Sequence, residues 1–393
     1  TQLEIIQKYN TKLCILVGDK NQLNPVNCDE LNIFENNKIN LNQNMRCSNN
    51  QINQIYDYLL QQISNYTPKF DFKIFVKKLY EIIFDFRDNH NIYVVQTLND
   101  FIDLYSHLYN QNETIIGNYT NKMCSKLNIR IKNSIISNNN IDLIDKFYIG
   151  QQIIFTKPYE DWHISDFAKI KNIEQTTYNF TKITYNHIIQ HNKSYKTNII
   201  IPSNINNIYT HYTNLNTKLG KSQQLFNYII HITNTSNEIK KIFNLINNYP
   251  KFKVQKIQLD NLSYIYVLHS KTSNDYNIYI DSIKNLIKNL LNTKIKKTYK
   301  KLFNEYIIEA LWFILNKFRI DIFAQIDDGF ACTIHKLQGS SIENMLVNLP
   351  DLFNLTDNNK NKLKCIYTAF SRAVSKLGIL VSFNPICKCN LFC

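Results

Sequence analysis

Short hydrophobic runs alternate with amphipathic segments along the first part of the chain. Residues 12–17 read K-L-C-I-L-V and stop at Gly18-Asp19, which is typical of a buried parallel strand that ends in a loop. Helical spacing follows over residues 51–63. Further strands are predicted at 91–96 and 114–116, and further helices at 100–108 and 122–131. Strands that alternate with helices of this length predict an open α/β sheet.

From about residue 147 the pattern becomes β-rich. Strand-like runs occupy 150–157, 181–189 and 197–201, and the segment 205–249 is helical or irregular. A hairpin is predicted over 252–259 and 263–268, with its turn at Asp260-Asn261. Residues 283–318 form a Lys-rich amphipathic helix or helix pair in this interpretation.

The α/β pattern then resumes, with predicted strands at 330–334, 345–347 and 378–382 and a predicted helix at 362–372. The simplest organisation is an α/β domain that is interrupted and then completed. We therefore divide the chain into residues 1–85, a second core domain formed by 86–146 and 319–393, and an insertion at 147–318.

The composition gives the chain a net positive charge. Lys and Arg total 45 against 31 Asp and Glu, a net charge of +14, while 44% of the 393 residues are hydrophobic. This excess favours a polyanionic partner, although solvated surface charge explains it equally well. Neither a leader nor an apolar run of about 18 residues is present, so we expect an intracellular protein, cytoplasmic or nuclear, without a membrane partner.

Nine cysteines are scattered along the chain, which is typical of small buried hydrophobic residues in an intracellular protein. A terminal group consists of Cys387, Cys389 and Cys393. It lacks the paired spacing of structural zinc sites, so we expect no metal ligands among the candidate site residues.

A first candidate site lies after the first predicted strand, where residues 16–26 read L-V-G-D-K-N-Q-L-N-P-V. Asp19 places a carboxylate at the edge where parallel sheets bind ligands, and Gln22 adds an amide suited to a phosphate or a water. An ordinary turn is the competing interpretation, because Gly, Asp, Asn and Pro all favour turns.

Two further segments carry single candidate residues. Residues 41–46 read L-N-Q-N-M-R and end at Arg46, which taken alone is a surface ion-pairing residue. Thr120 and Asn121 open a predicted helix, where they can satisfy either the helix N-terminus or a nucleic-acid phosphate.

The most specific segment is residues 331–341, A-C-T-I-H-K-L-Q-G-S-S, followed by Y-T-A-F-S-R-A at 367–373. Hydroxyl, imidazole, ammonium and amide groups within a few positions suit phosphate contacts, and a glycine permits close backbone approach. The candidate residues here are Thr333, His335, Lys336, Gln338, Gly339, Ser340 and Arg372.

Together these segments resemble motifs III, IV, V and VI of superfamily 1 DNA helicases, in the RecD-like and Dda-like branch with a UvrD-like C-terminal region. The segment 120–130 is similar to the element that opens the family's second core domain. Residues 150–157 are similar to the start of its SH3-like insertion. Asn24 departs from the family, which usually has Pro or Arg there. The resemblance implies two RecA-like α/β core domains with a β-rich insertion.

The resemblance also implies roles for individual residues. Gln22, Arg46 and Arg372 would be catalytic, with Arg372 as an arginine finger. Nucleotide binding would involve Asp19, Gln338, Gly339 and Ser340 together with those three. Binding of single-stranded DNA would fall to Thr120, Asn121, Thr333, His335 and Lys336.

The implied activity is ATP hydrolysis coupled to 5′-to-3′ movement on single-stranded DNA and unwinding of a fork, with replication or repair proteins as candidate partners. ATP and Mg²⁺ are the expected cofactors. A G-x-x-x-x-G-K-[ST] loop is absent from the sequence. We expect this loop and the Mg²⁺ ligands to lie upstream of Thr1, in a longer protein. The alternative is a nucleic-acid-binding helicase relic or separately encoded half without ATPase activity.

Overall fold

The computed structural model describes residues 19, 21–23, 47, 49–87, 90–109, 113–178, 251–292, 321–354 and 358–381, with isolated positions between 241 and 316. The chain divides into two units. The first comprises Thr1–Ile141 and Gly329–Cys393, and the second comprises Asp142–Asp328. The three-part division of the sequence, with a boundary near residue 85, stays a prediction.

The elements of the first unit, in chain order, are α1 (Asn50–Ser64), α2 (Phe72–Asp85), β1 (Ile92–Val95), α3 (Leu98–Tyr109), β2 (Thr114–Asn118), α4 (Asn121–Asn139), β8 (Ala331–Thr333), β9 (Ile342–Asn348), α6 (Leu349–Phe353), α7 (Asn359–Phe370) and β10 (Ala373–Leu380). Those of the second are β3 (Gln152–Phe155), β4 (Phe167–Tyr178), β5 (Phe252–Leu259), β6 (Tyr264–Leu268), α5 (Ser270–Leu291) and β7 (Ile326–Asp328).

A five-stranded parallel sheet forms the centre of the first unit, in the order β1-β10-β9-β2-β8. Strand β2 is buried along its whole length, as the continuous apolar runs of a covered parallel sheet require. The predicted α/β fold is confirmed. Because all five strands run in one direction, their carboxyl ends lie at a single edge.

Polar caps begin the helices that flank this sheet. The side chain of Asn49 accepts a hydrogen bond from the amide of Ile52 at the start of α1, and Asp71 does the same for α2. Helix α1 buries Ile52, Ile55 and Leu59 on one face, which is the spacing that predicted it.

The second unit contains an antiparallel sheet in the order β6-β5-β4-β3-β7. The predicted β-rich insertion and its 252–268 hairpin are both confirmed. The ring of Trp162 stacks on Phe155 at 4.7 Å between centroids and packs against the unit's core, so this tryptophan is a partly buried packing residue.

Several predicted boundaries were wrong. Helix α5 begins at Ser270 rather than residue 283 because His269 caps its first turn, and β10 begins at Ala373 rather than 378. Helix α2 and strand β4 had not been predicted. The predicted strands at 12–17, 181–189 and 197–201, nearly all of 205–249, and most of 293–318 lie outside the described residues.

Cys47, Cys124, Cys332 and Cys365 are buried and form no disulfide bond, as expected of small hydrophobic residues. Cys387, Cys389 and Cys393 lie outside the described residues. Among the helices that the structure describes, none combines the length and the apolar character needed to cross a bilayer.

Candidate functional site

The loop after β8 turns back tightly at the edge where the parallel strands end. The amide of Ile334 donates to the carbonyl of Asn118 at 2.8 Å, and the amide of Lys336 donates to the carbonyl of Thr333 at 2.9 Å. Gly339 has φ +94°, a conformation that favours glycine. The loop thereby leaves Gln338 and Gly339 exposed and His335 and Lys336 half-buried.

Asp19 contacts α7 directly. Its Oδ2 accepts hydrogen bonds from the Tyr367 hydroxyl at 2.9 Å and from the Gln22 side-chain nitrogen at 3.3 Å, while Oδ1 accepts the amide of Asn21 at 2.9 Å. Two residues that are 348 positions apart in sequence are thus joined by one hydrogen bond. The carboxylate orients both Gln22 and the Tyr367 ring.

Leu23 links the same segment to the loop after β8 as well. Its amide donates to the Thr368 hydroxyl at 3.1 Å, and its carbonyl accepts from the Gln338 side chain at 2.8 Å. Thr368 is fully buried and donates its own hydroxyl to the carbonyl of Lys364 at 2.7 Å. The segments around Leu23, Gln338 and Thr368 therefore meet at one place.

Arg372 follows α7 and is fully buried. Its Nε donates to the carbonyl of Thr368 at 3.2 Å, Nη1 to the carbonyl of Ser340 at 3.2 Å, and Nη2 to the Ser371 hydroxyl at 3.0 Å. The guanidinium thus joins the segment 367–372 to the loop after β8. Because the guanidinium is fully buried, its predicted contact with a phosphate would require local rearrangement.

Thr120 caps α4 by accepting the amide of Met123 at 3.2 Å, so its capping role is observed. The same hydroxyl donates to Oδ1 of Asp351 at 3.0 Å. Oδ2 of Asp351 accepts the amides of Tyr119 at 2.7 Å and Thr120 at 2.9 Å. A buried carboxylate therefore takes the hydroxyl of Thr120, for which the sequence left helix capping and phosphate binding open. The DNA contact of Thr120 stays a prediction.

The other predicted DNA-binding residues lie around the ends of β2 and β8. Thr333 is 7% exposed, whereas Asn121 is exposed on the first turn of α4. The rings of Tyr119 and His335 lie 6.3 Å apart between centroids. One aromatic and several polar side chains therefore gather at this edge of the sheet.

Two buried thiols lie close to these groups. Burial, followed by the negative charge of Asp351, raises the pKa of Cys124 to about 12, while the charge of Lys336 opposes the shift. Burial also raises the pKa of Cys332 well above its ordinary value. Both thiols stay protonated near neutral pH, which argues against nucleophilic or metal-binding roles for them.

Three of the four predicted nucleotide-site segments are brought together by these hydrogen bonds. The fourth, which ends at Arg46, lies outside the described residues. Sequence reasoning missed Tyr367, Thr368 and Asp351 as partners. A local sequence pattern marks the position of Asp351. Asn348 followed by Pro350 is typical of a helix start, and the Asn348 side chain caps α6 by accepting the amide of Asp351.

The carboxylates at this site do not suit a magnesium ion. Asp19 already accepts three hydrogen bonds, and Asp351 is buried among backbone donors. Among the described residues, no group of three or more His, Cys, Asp or Glu side chains is arranged so that it could hold a metal ion. Amide, hydroxyl and guanidinium donors are present instead, which suits the phosphates of a nucleotide but not its cation.

No protein-family profile matches the chain. A relative named Uncharacterized protein R530, from Acanthamoeba polyphaga mimivirus, is 27% identical over 249 residues, which cover 61% of this chain and 42% of that protein's length. Among solved structures, the crystal structure of Pif1 helicase from Candida albicans matches with a TM-score of 0.23 and 12% identity, over 83% of this chain and 53% of that one.

Proposed function

We propose that this chain is part of an ATP-dependent helicase that moves 5′ to 3′ on single-stranded DNA and unwinds a fork. The observation that carries the proposal is a pair of hydrogen bonds: the Leu23 amide donates to the Thr368 hydroxyl, and the Gln338 side chain donates to the Leu23 carbonyl. These bonds join three segments that resemble helicase motifs III, V and VI. A chance resemblance gives no reason for such segments to meet.

The nucleotide phosphates would be held by groups on this cluster. Gln22 and Gln338 offer amides, Ser340 a hydroxyl, and Gly339 a backbone that a phosphate can approach closely. Asp19 would act by orienting Gln22, since its carboxylate accepts the Gln22 amide. When bound, ATP would supply the free energy of hydrolysis and Mg²⁺ would neutralise charge on its phosphates. The cation's ligands would come from elsewhere in the complete protein.

Arg46 and Arg372 would stabilise negative charge on the phosphates, because a guanidinium is permanently charged and donates in a planar fork. In the state described here, Arg372 donates to Ser340 and Thr368 carbonyls. Exchanging the Ser340 carbonyl for a phosphate oxygen would couple nucleotide binding to movement of the loop after β8.

Single-stranded DNA would bind at the ends of β2 and β8. His335 and Lys336 are half-buried and would contact phosphates, and exposed Asn121 would add an amide. Thr333 and Thr120 would also contact the DNA strand, to the extent that the burial of Thr333 and the hydrogen bond from Thr120 to Asp351 allow. Gln338 lies three residues after His335 in the same loop, so this loop would link strand binding to nucleotide binding.

The alternative is a nucleic-acid-binding protein derived from a helicase, without ATPase activity. Sequence supports this alternative to the extent that the phosphate-binding loop of helicases is missing from residues 1–393. Both hypotheses predict binding of single-stranded DNA, but only the helicase hypothesis predicts hydrolysis of ATP.

Hydrolysis of ATP by the complete protein, with and without an oligo(dT) strand, tests the proposal. We expect strand-stimulated hydrolysis that falls at least about tenfold in Gln22→Ala, in line with losses at groups that position phosphate or water. Gln54→Ala, an exposed glutamine on α1, is the matched control and should retain full activity. DNA binding without hydrolysis in the wild type would favour the relic, and equal activity in both variants would remove Gln22 from the site.

A further inference from the structure

The structure assigns a base-stacking role to Tyr119. We propose that its ring, beside His335, binds a base of single-stranded nucleic acid, and that Asp351 is the positioning residue that holds it there. This inference rests on the proposed function. It adds a residue that the sequence did not indicate.

The position of Tyr119 follows from strand register. Asn118 at the end of β2 pairs with Thr333 at the end of β8, in parallel. Tyr119 leaves β2 one residue later, and His335 leaves β8 two residues after Thr333. The two rings consequently lie side by side at the carboxyl edge of the sheet, 6.3 Å between centroids and tilted by 49°.

Asp351 fixes the backbone that carries this ring. Its carboxylate accepts the amides of Tyr119 and Thr120 and the hydroxyl of Thr120. Its own amide donates to Asn348, whose side chain donates to Asn118 at 2.9 Å. A buried network therefore locks the turn, and an aromatic ring on a rigid turn loses little entropy when it binds a base.

The surroundings of the ring suit single-stranded nucleic acid. Both Tyr119 and His335 are half-buried, so each presents part of its surface to solvent. Lys336 is the next residue along the loop, and exposed Asn121 begins α4. Rings for stacking, next to cationic and amide groups for the backbone, are the features shared by surfaces that bind single strands.

Because Asp351 already takes the amides and the hydroxyl at the start of α4, the turn has few donors left for a phosphate. Stacking of a base on the Tyr119 ring would let this turn bind the strand without those donors. Bases would therefore bind at Tyr119, and phosphates would bind at His335 and Lys336.

The test compares two fluorescein-labelled strands of about 12 nucleotides, within the usual site sizes for single-strand binding. One is oligo(dT), and the other has the same backbone with abasic sites throughout. Anisotropy titrations of the chain at fixed salt give both affinities. We expect the wild type to bind oligo(dT) more tightly than the abasic strand.

Replacing the ring should remove that preference. Tyr119→Ala should weaken oligo(dT) binding about 5- to 100-fold, the usual effect of removing one stacking side chain, and change abasic binding less than about twofold. Tyr119→Phe keeps the ring and should bind as the wild type does. Asp351→Asn, with fewer acceptors for the turn, should reduce the preference for oligo(dT) while abasic binding persists.

Tyr264→Ala is the matched control, because this tyrosine is 46% exposed on β6 and should leave both affinities unchanged. Equal losses on both strands, or no loss on either, would overturn the stacking role while leaving the proposed function intact. A wild type that binds both strands equally would do the same. Failure to bind either strand would overturn the proposed function and this inference together.

Discussion

The phenol of Tyr367 donates a hydrogen bond of 2.9 Å to the carboxylate of Asp19, which lies 348 positions earlier in the chain. The same carboxylate oxygen accepts the side-chain amide of Gln22 at 3.3 Å. A substitution on α7 can therefore alter the position of the Gln22 side chain, because Tyr367 and Gln22 both donate to Oδ2 of Asp19. This relationship makes the segment around Asp19 part of the same local structure as α7.

A double-mutant cycle should detect that link. Asp19→Asn and Tyr367→Phe are expected to be coupled by about 0.5–1 kcal/mol in the free energy of unfolding, since the hydrogen bond between them is exposed. Urea denaturation of the two single variants and the double variant measures the coupling. Strictly additive effects would show that the hydrogen bond contributes nothing in solution.

Thr368 should be sensitive to the loss of its hydroxyl. Thr368→Val keeps the shape but leaves the buried amide of Leu23 without this acceptor, so unfolding should become easier by about 1–3 kcal/mol. Thr368→Ser retains the hydroxyl and serves as the control, with most of the stability preserved. Equal urea midpoints for the Val variant and the wild type would contradict the observed hydrogen bond.

Gly117 lies in β2 among packed side chains that would have to shift to admit a Cβ. A Cβ there would approach the ends of the Ile334 and Met345 side chains to 2.4 Å, inside a packed core. Gly117→Ala should cost about 1–3 kcal/mol through overpacking. Thermal unfolding against Ser137→Ala, an exposed position on α4, measures this cost. An unchanged melting temperature would mean that the core around β2 is loosely packed.

The Cys124 thiol should react slowly. Burial raises its pKa to about 12, so almost no thiolate exists at pH 8.5 in the folded protein. Iodoacetamide labelling read by mass spectrometry should leave Cys124 unmodified under native conditions and modify it rapidly in urea. Because the folded pKa is raised, this group's contribution to stability should be lost as pH rises from about 9 towards 12. Rapid native labelling would contradict this environment.

Much of the fold was predictable because local patterns and tertiary structure agree. The apolar run at 114–116 became the fully buried strand β2, and the hairpin at 252–268 formed around its predicted turn. Helix α2 was not given bounds from the sequence, although Asp71 offered a cap for it. The early start of β10 depends on parallel pairing with β9, which no local pattern reveals.

The candidate site was predictable as a list of residues but not as a set of contacts. Ordered segments indicated Gln22, Gln338 and Arg372. Hydrogen bonds between residues hundreds of positions apart, such as Leu23 to Thr368, arise only when the sheet is assembled. The burial of Arg372 and the engagement of Thr120 by Asp351 follow from packing for the same reason.

Hydrogen–deuterium exchange of the protein, with and without a non-hydrolysable ATP analogue, tests most directly whether one nucleotide bridges these segments. Peptides that cover 19–23, 338–341 and 367–372 should gain protection together at the same analogue concentration, because each contributes to one site. Protection of only one of these peptides, or of none while the analogue is bound elsewhere, would contradict the shared site.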